Sequence, residues 1–211
     1  MDEYWCFMNE QILYKKEKSP SLDKFKKNND DLSNILIEKS LGNEVNVIAL
    51  SSMTFDPELT KSIRGVEHYE MRCLWEVFRV KERGVNVHFF SKKKVDNYIR
   101  RYLFKVMNLT SNEISRIHFY SAEEILEQDC SEEDLSDLVL NNNKVREVFK
   151  TISKRKNAYL ECFILTPKEM KISNKFSIPT WWLNENIDYF QTKSGNRALL
   201  DKVVKMPAGR K

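Results

Sequence analysis

The spacing of apolar positions divides the chain into two parts. Residues 1–44 are polar, with six lysines between Lys15 and Lys27 around Ser19-Pro20-Ser21, which reads as an exposed linker or loop. One amphipathic segment is predicted there, from about Asp31 to Leu41, with Leu32, Ile35 and Leu36 on one face and Gly42 placed to end it. From residue 45 onward, short apolar runs alternate with helical periodicities. Val45–Leu50, Val85–Phe90, Ile117–Tyr120 and Ala158–Leu165 have the length and the β-branched or aromatic content of buried strands. Helices are predicted over about Val66–Val80, Val95–Met107, Lys144–Lys154 and Ser194–Val204. Asp56-Pro57-Glu58, Ser121-x-x-Glu124 and Thr166-Pro167-Lys168-Glu169 are helix-start signatures, the last combining an N-cap, an N1 proline and a capping glutamate. Strands separated by such helices need crossover connections. The pattern predicts a Rossmann-like three-layer α/β domain with a mainly parallel sheet over 45–211, preceded by a helical, lysine-rich N-terminal extension over 1–44.

Composition narrows the function. Of 211 residues 41% are hydrophobic and 11% aromatic, enough to bury a core. A net charge of +4 is too mild to announce a nucleic-acid binder. No apolar run approaches the ~18 residues of a membrane span, and Met1-Asp2-Glu3 is acidic where a signal peptide is basic, so a cytoplasmic protein is expected. Cys6, Cys73, Cys130 and Cys162 are scattered without a C-x-x-C pair, which argues for free thiols rather than zinc or a redox pair. The five glycines restrict the chemistry most. Gly42, Gly65, Gly84, Gly195 and Gly209 are too far apart to build either glycine-rich phosphate loop. The chain is therefore expected to carry no glycine-rich nucleotide cradle of its own.

Several residues are nonetheless candidates for a site. Ile63, Val66, Glu70, Cys73, Val77 and Val80 form a stripe at helical spacing, and Glu70 is its only charge. A carboxylate there must be paired or hydrogen-bonded, either as a structural cap or as a ligand contact in a cleft. Arg72 is placed to pair with Glu76 one turn on. His88 and His118 lie inside strand-like runs and read as structural. Ser51-Ser52, Ser91 and Ser121 follow strands, where open parallel sheets hold ligands. Lys92-Lys93-Lys94 and Arg100-Arg101 oppose eight acids between Glu123 and Asp137, a polarity suited to a solvated face or to steering an anion. Thr192-Lys193-Ser194-Gly195-Asn196-Arg197 opens the last helix with two cations near its N-terminus, and Trp181-Trp182 reads as a packing anchor or a contact surface.

The order of these motifs has a counterpart. A strand ending in Ser-Ser is followed by Gly65-x-x-x-Tyr69-Glu70-x-Arg72, then by Ser91 and Tyr98 after the second strand. A strand leading into Thr-Pro-x-Glu, an Ile-Pro, Thr192-Lys193-Ser194-Gly195-x-Arg197 and Pro207-Ala208-Gly209 come next. Over roughly residues 45–209 this resembles the pre-ATP-grasp domain that precedes the ATP-grasp module in pheganomycin-type peptide ligases and related carboxylate–amine ligases. The resemblance implies a non-catalytic N-terminal domain that forms one wall of the substrate cleft and packs on an ATP-grasp module. ATP and Mg would bind in that module, which would begin beyond Lys211. An amino acid or peptide is the implied substrate. Ser51, Ser52, Gly65, Tyr69, Glu70, Arg72, Ser91, Tyr98, Thr192, Lys193 and Arg197 are the implied substrate-binding or domain-seam positions. Two other readings stand beside it: a stand-alone interaction or scaffold protein that keeps the fold without the reaction, and a nucleic-acid binder using the Lys92–Lys105 face.

Overall fold

The computed structural model describes residues 22–52, 64–130 and 133–181. The four apolar runs form strands β1 (Val45–Leu50), β2 (Val85–Ser91), β3 (Ile117–Ser121) and β4 (Ala158–Cys162). They make one sheet in the order β3-β2-β1-β4 with every pairing parallel. The register sets Leu50 opposite both Phe90 and Cys162, so the carboxyl ends of β1, β2 and β4 are level. Beyond β4, Thr180 bridges in parallel to Leu160 and extends the ladder by one more position. Strand order reverses direction at β1, which has β2 on one side and β4 on the other. The crevice beyond the carboxyl ends of β1 and β4 is therefore the switch point at which such sheets bind ligands.

Period-two alternation along each strand feeds two separate cores. Val45, Val47 and Ala49 of β1 and Val85, Val87 and Phe89 of β2 face a first helical layer. That layer contains α1 (Leu22–Ser40), a 16-residue 3₁₀ helix (Val66–Lys81), α2 (Asn97–Val106) and the single turn α3 (Ser111–Ile114). Ile48, Leu50, Phe90 and Leu160 face a second layer of α4 (Ala122–Leu126), α5 (Leu135–Asn141), α6 (Asn143–Ser153) and α7 (Pro167–Phe176). A Rossmann-like three-layer α/β architecture results, as the alternation of periods predicts.

The differences are local and have physical causes. α1 begins at Leu22 rather than near Asp31, and it belongs to the core through Leu32 and Ile35. Its Asn28 side chain donates to the Thr180 carbonyl (2.7 Å) and accepts from the Thr180 amide (3.0 Å), tying the helix to the far edge of the sheet. β4 stops at Cys162, and Phe163 turns out to solvent. The short helices α3 and α5 lack an apolar run long enough to announce them, yet both are capped. Thr110 and Glu113 form a reciprocal capping box, and the Asp134 side chain accepts from the amides of Ser136 and Asp137. The box predicted at Thr166 is present with Pro167 at N1. The helix start at Asp56-Pro57, the Ser19-Pro20-Ser21 segment, Trp182, Thr192, Lys193, Ser194, Gly195 and Arg197 lie outside the described residues.

Candidate functional site

The 3₁₀ helix is the element that builds the site, and its period explains how. With three residues per turn, side chains at i and i+3 eclipse one another in straight rows. Met71, Leu74, Val77 and Val80 make the inward apolar row, the last three fully packed in the first core. Tyr69, Arg72, Trp75, Phe78 and Lys81 make an outward row, in which the Arg72 guanidinium sits 4.0 Å above the Tyr69 ring. Glu70, Cys73, Glu76 and Arg79 make a third row, along the seam between helix and sheet. An α-helical period would put Glu70 alone on an apolar stripe and set Arg72 against Glu76. The tighter winding overturns the second expectation, since Glu76 pairs with Arg79 and Arg72 stacks on Tyr69, while Glu70 stays buried beside Cys73, Val77 and Val80. Gly65 caps this helix in the left-handed region (φ 71°), which an L side chain adopts only with strain.

At the Arg79 end of the polar row a cavity of about 290 Å³ opens at the edge of the sheet, beside the end of β4. It is lined by Arg79 from the 3₁₀ helix, Glu161 and Cys162 from the end of β4, Leu165 from the following turn, and Thr180 and Trp181. Arg79 Nε lies 2.5 Å from Glu76 Oε2, and Arg79 Nη2 lies 3.3 Å from Glu161 Oε1. The Trp181 indole N–H donates to Glu161 Oε2 at 3.0 Å, which fixes that carboxylate from its other side. Burial pushes the Glu76 carboxyl above the usual carboxylate range against the pull of Arg79, and Glu161 nearby adds to the rise. Two carboxylates thus converge on one guanidinium at the rim of an accessible cavity. Such an arrangement suits a ligand bearing a cation, with Arg79 available to a ligand carboxylate.

The thiols bordering this row are not nucleophiles. Burial, then Glu76 and Glu70, pushes Cys73 up to about 11, and burial with Glu169 and Glu161 pushes Cys162 well up. Both stay protonated at neutral pH, whereas attack requires thiolate. Among the described residues no group of three or more His, Cys, Asp or Glu side chains is placed to hold a metal ion.

The remaining strand ends are held by side chains that spend their hydrogen bonds on the scaffold. The Ser51 hydroxyl donates to the Phe90 carbonyl at 2.9 Å and Ser91 donates to the Lys93 carbonyl at 2.7 Å. Ser121 caps α4 and donates to Glu124. Ser52 donates to Glu169 Oε1 at 2.8 Å, and the same fully buried carboxylate accepts from Ser136 and Thr166, including the Thr166 amide at 2.9 Å. Glu70, only 4% exposed, accepts from the Lys92 amide at 2.6 Å and so fixes the turn after β2. Burial raises its carboxyl to about 7 despite that bond. Of the candidate residues, Ser51, Ser52, Glu70 and Ser91 therefore secure the walls of the crevice. Arg72 is exposed and Tyr69 half-buried on the outward row, and Tyr98 stands on the outer face of α2, at 78% exposure. His88 and His118 are stacked at 4.8 Å within the second face, and neither lines the cavity.

Glu76, Arg79 and Glu161 are the functional candidates that the sequence reading lacks. Two signals point to them: charges at 70, 76 and 79, all separated by multiples of three, and one carboxylate within the apolar run Ala158–Leu165. No family model, no curated protein and no solved structure matches the chain.

Proposed function

We propose that this chain forms one wall of the substrate cleft of an ATP-dependent carboxylate–amine ligase, receiving an amino acid or peptide while an ATP-grasp module handles the nucleotide. The reading is carried by the cavity beside the end of β4, at the edge of the sheet, where Glu161 and Arg79 present opposite charges 3.3 Å apart. An amino acid or peptide carries an ammonium and a carboxylate, and this pair offers a partner to each. Leu165 and Trp181 supply apolar wall for a side chain. In such ligases the acid takes a phosphoryl group from ATP, and an amine nitrogen then attacks the acyl phosphate and expels phosphate. Glu161 would hold the incoming ammonium, and Ser52, Glu169 and Glu70 would keep the surrounding turns in place. Five widely spaced glycines support locating the nucleotide outside this chain.

Amide NMR of the chain, titrated with a panel of amino acids and dipeptides and separately with ATP and Mg, tests the reading. Shifts at Glu161, Cys162, Leu165 and Thr180 with panel members, together with phosphate release no faster than the blank, are expected. Stoichiometric ATP binding, ATP hydrolysis by the chain alone, or a cavity unresponsive to every panel member would each overturn it.

A further inference from the structure

The two helical layers present very different surfaces. Among the described residues, no helix of the second layer carries an exposed large hydrophobic side chain. The first layer does, and on the 3₁₀ helix and α2 most of them are aromatic. Trp75 and Phe78 are more than half exposed on the outward row of the 3₁₀ helix, and Tyr98 and Tyr102 stand 78% and 62% exposed on α2. The two tyrosines lie one turn apart, opposite an inward face of Leu103, Phe104 and Met107. Their neighbours on the same outward faces are cations. Arg72 precedes Trp75 by one turn of the 3₁₀ helix, and Arg101 and Lys105 alternate with the tyrosines along α2. Neither α2 nor the outward row from Tyr69 to Lys81 contains an Asp or Glu. The acids of this layer lie to the side, where α1 over β1 and β4 exposes Asp30 and Asp31.

We infer that the outer face of the 3₁₀ helix and α2 binds single-stranded nucleic acid. The 3₁₀ helix packs on β2, and Arg100 of α2 lies over Phe119 of the adjoining β3, so the two helices are neighbours. Each crosses between parallel strands and runs opposite to them, so their outward rows run side by side in one direction. A single strand offers phosphates and, unlike a duplex, the flat faces of its bases. Exposed rings that stack on bases, set among cations that meet phosphates, are the means of holding it. Both are present on one surface here, with Arg72, Trp75 and Phe78 following one another at steps of ~6 Å along the 3₁₀ axis. Among the described residues Arg72, Arg101 and Lys105 have no acidic partner, whereas Lys81 is drawn to Glu113 at 3.5 Å and Lys94 to Glu124 at 2.7 Å. The available charge therefore lies on the helices and not in the Lys92–Lys94 run. A net charge of +4 conceals this segregation, because the acids sit elsewhere. A helix lying on a membrane keeps its cations and its apolar groups on opposite faces. Here they share one face, and two of the four rings end in hydroxyl groups, which suits bases and phosphates better than acyl chains.

Fluorescence anisotropy with labelled RNA and DNA strands of about 15 nucleotides tests the inference apart from the ligase reading, whose cavity uses none of these residues. Binding at about 50 mM salt is expected, with log affinity falling against log salt at a slope of about −2, from three cations at ~0.7 each. The same sequence annealed into a duplex should bind about tenfold more weakly or worse, since its base faces are hidden. Arg101→Gln with Lys105→Gln should bring the slope to about −0.7. Trp75→Ala with Tyr102→Ala should weaken binding by about tenfold or more and leave the slope in place. All four side chains are exposed, so both variants should keep the wild-type circular dichroism spectrum. No binding at about 50 mM salt, a duplex held as tightly as the strand, or variants that change neither affinity nor slope would each overturn the inference. Cosedimentation with phosphatidylserine vesicles in place of oligonucleotide binding would overturn it too, and would make this face a membrane surface.

Discussion

On the second face of the sheet, Asn46 and His88 are fully buried and satisfy one another. His88 Nε2 lies 3.0 Å from Asn46 Oδ1, and the Asn46 amide donates to the Lys156 carbonyl at 2.7 Å. The His118 ring stacks below, and the Tyr120 hydroxyl lies 3.4 Å from His88 Nδ1. On the first face, Glu76, Arg79 and Glu161 are also linked by short contacts, but their chain of charges ends at a cavity rather than at a backbone carbonyl. Both clusters are polar and both touch strand residues. What separates structure from site is where the last hydrogen-bonding group points. A closed network stiffens a core, and an open one leaves capacity for a ligand.

The comparison can be broken most severely by acid. Burial, with His118 and Arg155 nearby, pushes His88 down to about 3, so the unfolded chain binds a proton from its ordinary 6.5 downward that the native state refuses. Stability should fall as pH drops from 6.5 towards 3, by about 3–5 kcal/mol relative to His88→Gln, as read by urea unfolding at each pH. A wild-type profile parallel to the variant's would show the closed network to be wet. Glu70 should act in the opposite sense. Its native carboxyl keeps a proton up to about 7, while the unfolded chain releases it near 4.5. Its contribution is therefore present in acid and lost between those pH values, by about 3 kcal/mol, and Glu70→Gln should flatten that limb of the curve.

Neutral-pH mutagenesis gives smaller effects. Asn46→Ala strands the His88 ring and the Lys156 carbonyl and should cost about 2–3 kcal/mol in thermal or urea melts; a change below 1 kcal/mol would mean that both groups find water. Glu161→Gln should shift stability by less than ~1 kcal/mol, because the residue faces a solvent-accessible cavity. The same change should weaken amino-acid or dipeptide binding about tenfold by calorimetry, since an ammonium loses its charged partner. If instead Glu161→Gln unfolds the protein and leaves binding intact, the two clusters have exchanged roles.

The parallel sheet was legible because each strand is a short apolar run bounded by polar residues, and the Thr166–Glu169 cap because its three signals occupy adjacent positions. Glu70 was legible as a carboxylate that needed a partner, and its partner is the Lys92 amide. Arg79 and Glu161 were not, because their meeting depends on helical period. A period of 3.6 spreads 70, 73, 76 and 79 around the helix, whereas a period of 3.0 aligns them, and propensity does not distinguish the two. Leu135–Asn141 overlaps the acidic run that ends at Asp137, yet its Leu135, Leu138 and Val139 reach the second core. Seven residues carry too little periodicity to outweigh their charged flanks.

The reciprocal bonds between Asn28 and Thr180 have a consequence for how the polypeptide is made. They join positions 152 residues apart, and Thr180 is also the residue that continues the ladder beyond β4. At ~5–20 residues per second, the ribosome delivers Thr180 roughly 8–30 s after Asn28. Throughout that interval the carboxamide has no backbone to clasp and the outer margin of the growing sheet stays unsealed. Nascent chains should thus depend on chaperone shielding during that window more than finished ones do.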